Sequence, residues 1–190
     1  MSKLQVDQVS KTTAGADTFV LPASDGTAGQ LMKTDGSGGL GFVSSAVGGK
    51  VLQVLQDLLA VELNTTSTSY VATGLSIAIT PASASSKFLL FLAGGSCHAA
   101  SGEQMHTTFF VDTGGGAAEV TPSVGASGYE MIRNNGGTGL YQTHSAMCLH
   151  SPSTTNSTTY SVYFKVNNGT GNWQTSTAVR TEFSVMELSS

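Results

Sequence analysis

Histidine and cysteine in the second half of the chain are the residue types whose spacing comes nearest to a metal site. His144, Cys148 and His150 fall on one side of a predicted strand, and His98 and His106 lie upstream. Structural zinc sites use closely spaced ligand pairs, whereas His144 and His150 on a strand would lie about 20 Å apart. One histidine from each of three subunits around an axis is the alternative. We predict ordinary surface or core histidines, with no metal and no cofactor.

Carboxylates, glycines and serines form no catalytic pattern in this chain. The 12 acidic residues are dispersed, and we expect Glu103 and Glu130 to be solvated loop or strand-edge charges. The segment GSGGLG at 36–41 matches G-x-G-x-x-G, but it lacks the flanking strand and helix that a dinucleotide site requires. Neither a G-x-x-x-x-G-K-[ST] loop nor a G-x-S-x-G elbow occurs. The sequence predicts a protein that is not an enzyme.

The single tryptophan, Trp173, stands in NNGTGNWQTST, a segment rich in amides and turn residues. An aromatic ring beside amides can stack on a sugar, and loops carry binding residues more often than cores do. The alternative is a ring that plugs the loop against a sheet. The candidate receptor contacts are Trp173, Asn172, Asn134 and Asn135. Loops predicted to carry receptor contacts lie near 101–103, 114–128, 134–139 and 167–176.

Composition excludes several classes of partner. Only 11% of the residues are charged, against a usual value of about 25%. The net charge is -4 and the eight Lys and Arg residues are scattered, so no basic stripe is available to neutralise phosphates of a nucleic acid. The N-terminus lacks the apolar run of a signal peptide, and no stretch is long enough for a membrane-spanning helix. We predict synthesis in the cytoplasm, with Cys97 and Cys148 as buried thiols rather than a disulfide.

The residues after about 48 show the pattern of an all-β domain. Runs rich in Val, Thr, Phe and Tyr alternate with Ser/Thr/Asn/Gly clusters, and regular spacing of this kind indicates an antiparallel sandwich or barrel. Period-two alternation is clearest near the C-terminus, where Val179, Phe183 and Val185 share one face. The predicted strands are 51–59, 69–75, 76–80, 86–99, 105–112, 128–134, 140–150, 159–166 and 178–188.

Two of these segments raise further questions. In 51–63 the apolar residues fall at helical spacing, so a short helix is the alternative to the strand that we favour. The run 86–97 is apolar on both faces. Such a strand belongs in the centre of a sheet, or in a sheet whose second face is covered by another subunit.

Residues 19–43, FVLPASDGTAGQLMKTDGSGGLGFV, are built differently. Gly and Asp recur every few residues as turn formers, and the apolar stretches between them are long enough only for very short strands. A segment of this kind buries little surface by itself and must be supported by other chains or by an assembly. We predict an extended, turn-rich arm at 1–47 and a β-sandwich head at 48–190.

The arm resembles a segment that recurs in bacteriophage tail-fibre and other virion-surface proteins, with the pattern LPxxDGxxGQ followed by KTDGSGxL. The matching residues lie at 21–42, from Leu21 and Pro22 through Asp25 and Gln30 to Asp35, Leu40 and Phe42. The remainder resembles the jelly-roll head domains of phage proteins, through TSTSYVATGLSIAITPASASSKFLLFLAG and TEFSVMEL, which are similar to trimeric tumour-necrosis-factor/C1q-type sandwiches.

The resemblance implies a structural component of a bacteriophage virion. The expected form is a homotrimeric tail fibre, or fibre-like protein, whose arm docks onto other virion proteins and whose head contacts a glycan or protein of the host surface. The expected anchoring residues of the arm are Leu4, Val6, Val9, Phe19 and Leu21. A capsid decoration or head-fibre protein that stabilises the shell is the first alternative. A carbohydrate-binding or depolymerising tail spike is the second.

Overall fold

The computed structural model describes residues 6–44, except 11–17, together with 50–120, 128–174 and 179–189. Every regular element in these ranges is a β-strand. By their internal contacts the residues fall into two compact units, Met1–Val47 and Gly48–Ser190. The fold is therefore all-β, as the sequence predicts, and it consists of an arm and a head.

The arm contains two small antiparallel sheets. Strand β1 (Gln8–Ser10) pairs with β2 (Thr18–Val20), and β3 (Gln30–Thr34) pairs with β4 (Leu40–Ser44). A single parallel bridge between Val20 and Gly39 connects the two hairpins, supported by a hydrogen bond from Val20 N to Gly38 O at 2.8 Å. These short strands agree with the predicted arrangement of brief apolar stretches between turns.

The Asp and Gly residues of the arm form the turn between β3 and β4. One carboxylate oxygen of Asp35 accepts hydrogen bonds from Ser37 N at 2.7 Å and from Gly39 N at 2.9 Å, which closes an Asx-type turn. Gly38 has a φ of 93°, and a Cβ there would lie 2.6 Å from Thr18 O. The glycines of the G-x-G-x-x-G match therefore serve a hairpin turn, and a strand rather than a helix follows them.

The head is a sandwich of two antiparallel sheets. Its strands are β5 (Val51–Leu59), β6 (Leu63–Thr65), β7 (Val71–Ile79), β8 (Lys87–Ala99), β9 (Gln104–Asp112), β10 (Ala118–Glu119), β11 (Tyr129–Arg133), β12 (Leu140–His150), β13 (Thr158–Val166), β14 (Gly171–Trp173) and β15 (Thr181–Leu188). Sheet I has β7, β13 and β9 in that order, with β10 and β11 both on the far side of β9. Sheet II has β5, β15, β8 and β12 in that order. At one end of the sheet, the short strand β14 also pairs with β8, and β6 pairs with β14.

The pairing pattern is that of a jelly roll. Strand β5 pairs with β15, β7 with β13, β8 with β12, and β9 with β11, so the chain folds back on itself as one long antiparallel hairpin rolled into two sheets. This confirms the predicted jelly-roll sandwich.

The core lies between the inner faces of the two sheets. Alternate residues of the central strands point inward, as period-two patterning requires: Phe88, Leu90 and Leu92 on β8 and Phe183 on β15 belong to the inner face of sheet II, and Phe109 on β9 belongs to that of sheet I. The Phe109 and Phe183 rings stack with their centroids 5.8 Å apart. Burial of this apolar layer is the main source of the head's stability.

Most predicted strands match the observed ones to within a few residues, and 51–59 is a strand rather than a helix. The predicted strands 69–75 and 76–80 are one continuous strand, β7, because Gly74 at φ 92° bends the chain without ending the ladder. Strands β1, β6, β10 and β14, which are two or three residues long, are not among the predicted strands. Strands this short carry too few alternating residues to be recognised by periodicity.

Candidate functional site

A row of polar and aromatic side chains crosses one end of the outer face of sheet II. Asn64 on β6 pairs with Asn172 on β14, Asn172 pairs with His98 on β8, and His98 pairs with Tyr141 on β12. Paired residues of neighbouring strands project from the same face, so these four side chains form a line across the sheet. With Glu62 and Leu63 they line a cleft of about 270 Å³, which we call the amide cleft.

The ring of Tyr141 forms an exposed wall of the amide cleft. The side chain is 64% exposed, and its ring lies 4.5 Å from the His98 ring, centroid to centroid, at 41°. Among the described residues, the side chain of Asn172 donates a single long hydrogen bond of 3.4 Å, to Thr170 O. An exposed ring beside amides with spare hydrogen-bonding capacity can stack on the apolar face of a sugar and bond its hydroxyls.

Trp173 has the opposite orientation from its neighbour Asn172. Because they are adjacent on β14, one side chain faces solvent and the other faces the core, and Trp173 is 0% exposed. Its ring meets Phe164 edge to face at 5.6 Å. A buried ring has no free face for a sugar, so the structure supports the interpretation of Trp173 as a loop plug and corrects its choice as a receptor contact.

Asn134 is also a structural residue, and the geometry corrects its choice as a receptor contact. Its side chain is 5% exposed, and its amide nitrogen donates to Ala99 O and to Thr138 O, both at 3.1 Å. Asn135 is exposed beside it. Parts of two predicted contact loops, 121–127 and 175–178, lie outside the described residues.

The two histidines and the one cysteine of β12 point inward. His144 is buried, and this burial lowers its pKa to about 4. His150 Nδ1 lies 3.0 Å from Tyr160 Oη, and burial lowers the pKa of His150 as well. Cys97 and Cys148 are free, buried thiols, and burial raises the pKa of Cys97 to about 12. No group of three potential metal ligands is found within the described ranges.

The two carboxylates considered for catalysis have other roles. Glu103 is 8% exposed rather than solvated, and it accepts hydrogen bonds from Ala100 N at 2.7 Å and from Thr170 N at 2.9 Å. It therefore joins two loops. This role could not be predicted from the sequence, because it depends on a pairing between residues that are far apart in the chain. Glu130 is an exposed strand-edge charge, as expected, and it forms an ion pair with Arg133.

Beyond the amide cleft, the outer face of sheet II carries a group of large apolar side chains. Val54, Met186, Leu89 and Leu149 lie in one cross-strand row, and Phe91 and Met147 belong to the next. Met147 is 58% exposed, Leu149 55% and Val54 53%. We call this set the apolar face; it is defined by Val54, Leu89, Phe91, Met147, Leu149 and Met186.

The described anchoring residues of the arm keep their apolar side chains accessible. Val9 and Phe19 are paired across β1 and β2 and are 52% and 41% exposed, and Val6 is also exposed. Leu21 is partly buried, and its backbone N–H donates to Asp7 O at 3.0 Å. Leu4 lies outside the described residues.

No helix within the described ranges is long and apolar enough to cross a membrane.

No family model matches the chain, and no curated protein matches it. Two solved structures of infectious bursal disease virus resemble it: the Gx strain, with 10% identity and a TM-score of 0.36, and the Gt strain, with 12% and 0.34. The matches cover 93% and 94% of this chain and 48% of the virus chain in each structure, so this chain spans about half the length of the virus chains that it resembles. Likeness at this level carries no argument about activity or partners.

Proposed function

We propose that this chain is a structural component of a bacteriophage virion: a homotrimeric tail fibre or fibre-like protein, anchored by residues 1–47, whose head contacts the host surface. The observation that carries the proposal is the apolar face. It lies on the outer side of sheet II, whose inner side already forms part of the core of the head.

The apolar face favours association with copies of the same chain. Contiguous exposed apolar surface of this extent on a soluble domain marks an interaction site. Closed symmetry gives each copy the same neighbours, and three copies around an axis place this face of every head against the others. Two ionisable residues, Glu182 and Lys87, stand in the cross-strand rows on either side of it, so the face itself carries no charge that association would bury.

The arm supports the anchoring part of the proposal. Its strands are short, and its large apolar side chains Val9, Phe19, Leu31 and Met32 are exposed rather than gathered into a core. Exposed strand edges and apolar side chains are the features by which a segment docks onto another protein by strand addition. The resemblance of residues 21–42 to virion-surface proteins indicates what kind of partner it docks onto.

The amide cleft supports the receptor-binding part. Its exposed Tyr141 ring and the amides of Asn64 and Asn172 match the chemistry of a sugar, and three heads on one fibre convert weak contacts into firm attachment. The Tyr141 ring of this cleft replaces the Trp173 ring as the candidate for stacking on a sugar.

The anchoring claim is tested by adding one charge to the arm. Phages that lack their own copy of the gene are grown in cells supplying the wild type, Val9→Asp or Gln8→Asp, and the amount of the chain in purified particles is measured. We expect Val9→Asp to abolish incorporation and Gln8→Asp, the matched control on the same strand, to preserve it. Equal incorporation of both variants would refute anchoring through these side chains.

A capsid decoration protein is the second candidate, because a trimer associated through the apolar face could equally be seated on a shell by its arm. Labelling the chain on intact particles distinguishes the two: label at the tail supports the fibre, and label over the shell supports the decoration protein.

A further inference from the structure

A second cleft lies on the outer face of sheet I, on the opposite side of the sandwich from the apolar face. Three strands form its floor: Lys165 on β13 pairs with His106 on β9, and His106 pairs with Glu130 on β11. In the next row Gln104 pairs with Arg133. The cleft has a volume of about 430 Å³, and we call it the charged cleft. Its further lining residues are Thr68, Gly128, Val166 and Asn167.

Positive charge exceeds negative charge among the residues that line the cleft. Lys165 and Arg133 are two of only eight Lys and Arg residues in the chain, and Glu130 is the one carboxylate beside them. Glu130 is already engaged, because Arg133 Nε donates to its Oε2 at 2.9 Å. No ion pair to Lys165 occurs within the described ranges.

The ammonium group of Lys165 is held in position rather than left free in solvent. It lies 4.5 Å from the centroid of the Tyr70 ring, within the range of a cation–π contact. A cation fixed on an aromatic ring loses less side-chain entropy when it binds an anion. The site is therefore partly preorganised.

His106 also faces this excess of positive charge. Its Nδ1 is buried without a hydrogen-bond partner among the described residues. Burial, and next the charge of Lys165, lower the pKa of His106, with Arg133 acting in the same direction and Glu130 opposing it. An anion in the cleft would relieve that repulsion.

Neutral hydrogen-bonding groups surround the charged ones. The backbone N–H of Gln104 donates to Asn167 Oδ1 at 2.6 Å, which leaves the Asn167 amide nitrogen for a ligand. The side-chain amide of Gln104 and the hydroxyl of Thr68 complete the rim. A small set of such groups around a charged centre suits a ligand that carries one anionic group among hydroxyls.

We propose that the charged cleft binds an acidic sugar residue of a polysaccharide. Lys165 pairs with the carboxylate, Arg133 attracts it while keeping its ion pair with Glu130, and Gln104, Asn167 and Thr68 bond the neighbouring hydroxyls. The proposal concerns a site separate from the amide cleft and does not require the chain to belong to a virion, so a binding assay in solution tests it independently of the proposed function.

The experiment is a calorimetric titration of the full chain at low salt with a galacturonic-acid trisaccharide, compared with the neutral galactose trisaccharide. We expect the acidic ligand to bind with a millimolar dissociation constant and the neutral one to bind much more weakly. Lys165→Gln should weaken acidic binding about fivefold, which is the scale of one solvent-accessible ion pair. Lys87→Gln, which removes the same charge at the exposed start of β8, should leave it unchanged.

The pH dependence gives a second criterion. A bound carboxylate raises the pKa of His106 towards its usual range, so binding takes up a proton and strengthens as the pH falls from 7 to 5. His106→Gln should remove this dependence while the head stays folded by circular dichroism. The proposal would be overturned by equal affinity for the two trisaccharides, or by an equal loss of affinity for the acidic trisaccharide in Lys87→Gln and Lys165→Gln. Binding of sulfate alone as tight as that of the acidic trisaccharide would also overturn it.

Discussion

At the scale of single residues, the alternation of side chains between the two faces of a strand decides which of them are available for binding. Asn172 and Trp173 are adjacent, yet one lines the amide cleft and the other is fully buried. The aromatic partner of Asn172 is Tyr141, which is 31 positions away in sequence and two strands away in the sheet. Exposure of an aromatic residue therefore depends on its register in the sheet more than on the polar residues beside it.

Removing the buried indole should destabilise the head. Trp173→Ala deletes a ring packed against Phe164 and leaves a cavity, at a cost of about 3–5 kcal/mol in the free energy of unfolding. The exposed Tyr141→Ala should change that free energy by no more than about 0.5 kcal/mol. Urea unfolding of both variants measures the difference, and a fully stable Trp173→Ala would show that the ring is not part of the core.

His144 should make the stability of the head dependent on pH. Its pKa is lowered to about 4 by burial, from an ordinary 6.5, so between these values the unfolded chain binds a proton that the folded chain does not. Stability therefore falls as the pH drops from 6.5 to 4, by up to about 3 kcal/mol. His106 and His150 act in the same direction.

The contribution of His144 is isolated by comparison with His144→Leu. The unfolding free energy of this variant, measured between pH 7 and pH 4, should fall by less than that of the wild type. Identical pH profiles would show that His144 titrates normally in the folded head.

At the scale of elements, the long strands could be predicted from sequence and the local pairings could not. Strands β5, β8, β12 and β13 follow from runs of alternating or continuous apolar residues. The buried role of Glu103 depends on Thr170, 67 positions away, and the amide cleft depends on four strands that meet only in the folded sheet. Such contacts leave no periodic signal, so the residues of the cleft other than Asn172 were not identified.

The Gly94–Gly95 irregularity in β8 is an element-scale feature with a testable cost. Gly95 has a φ of 74°, and a Cβ there would lie 2.3 Å from Thr181 Oγ1 and 2.7 Å from Trp173 Nε1. Gly95→Ala should therefore cost both backbone strain and a steric clash, about 3 kcal/mol or more. Gly102→Ala is the matched control, because its φ is 81° and nothing lies within 4 Å of the added methyl.

Thermal and urea unfolding of the two glycine variants separate strain from clash. Gly102→Ala should lower the free energy of unfolding by only about 1 kcal/mol. Equal losses in the two variants would mean that the contact of Gly95 on β8 with Thr181 on β15 and Trp173 on β14 is loose.

At the scale of the whole molecule, the two sides of the head have different surfaces. The outer side of sheet II carries the apolar face, and the outer side of sheet I carries the charged cleft. In the proposed trimer the first is buried between subunits and the second remains accessible to a ligand. The low charge of the chain is consistent with a molecule whose solubility depends on covering that apolar face.

A charge on the apolar face should prevent trimer formation. Met147→Glu places a carboxylate in the middle of the proposed contact, where its burial without a partner is unfavourable. Thr113→Glu adds the same charge in the exposed turn after β9 and should leave association intact. Sedimentation velocity on both variants measures the effect, and trimers of Met147→Glu would exclude this face as the interface.

The molar mass of the wild-type chain in solution tests the central claim most directly. Light scattering coupled to size-exclusion chromatography should give three times the 19.4 kDa of one chain, because the apolar face is buried only when copies associate. A mass of one chain at micromolar concentration would contradict the trimer and the assembly proposed around it.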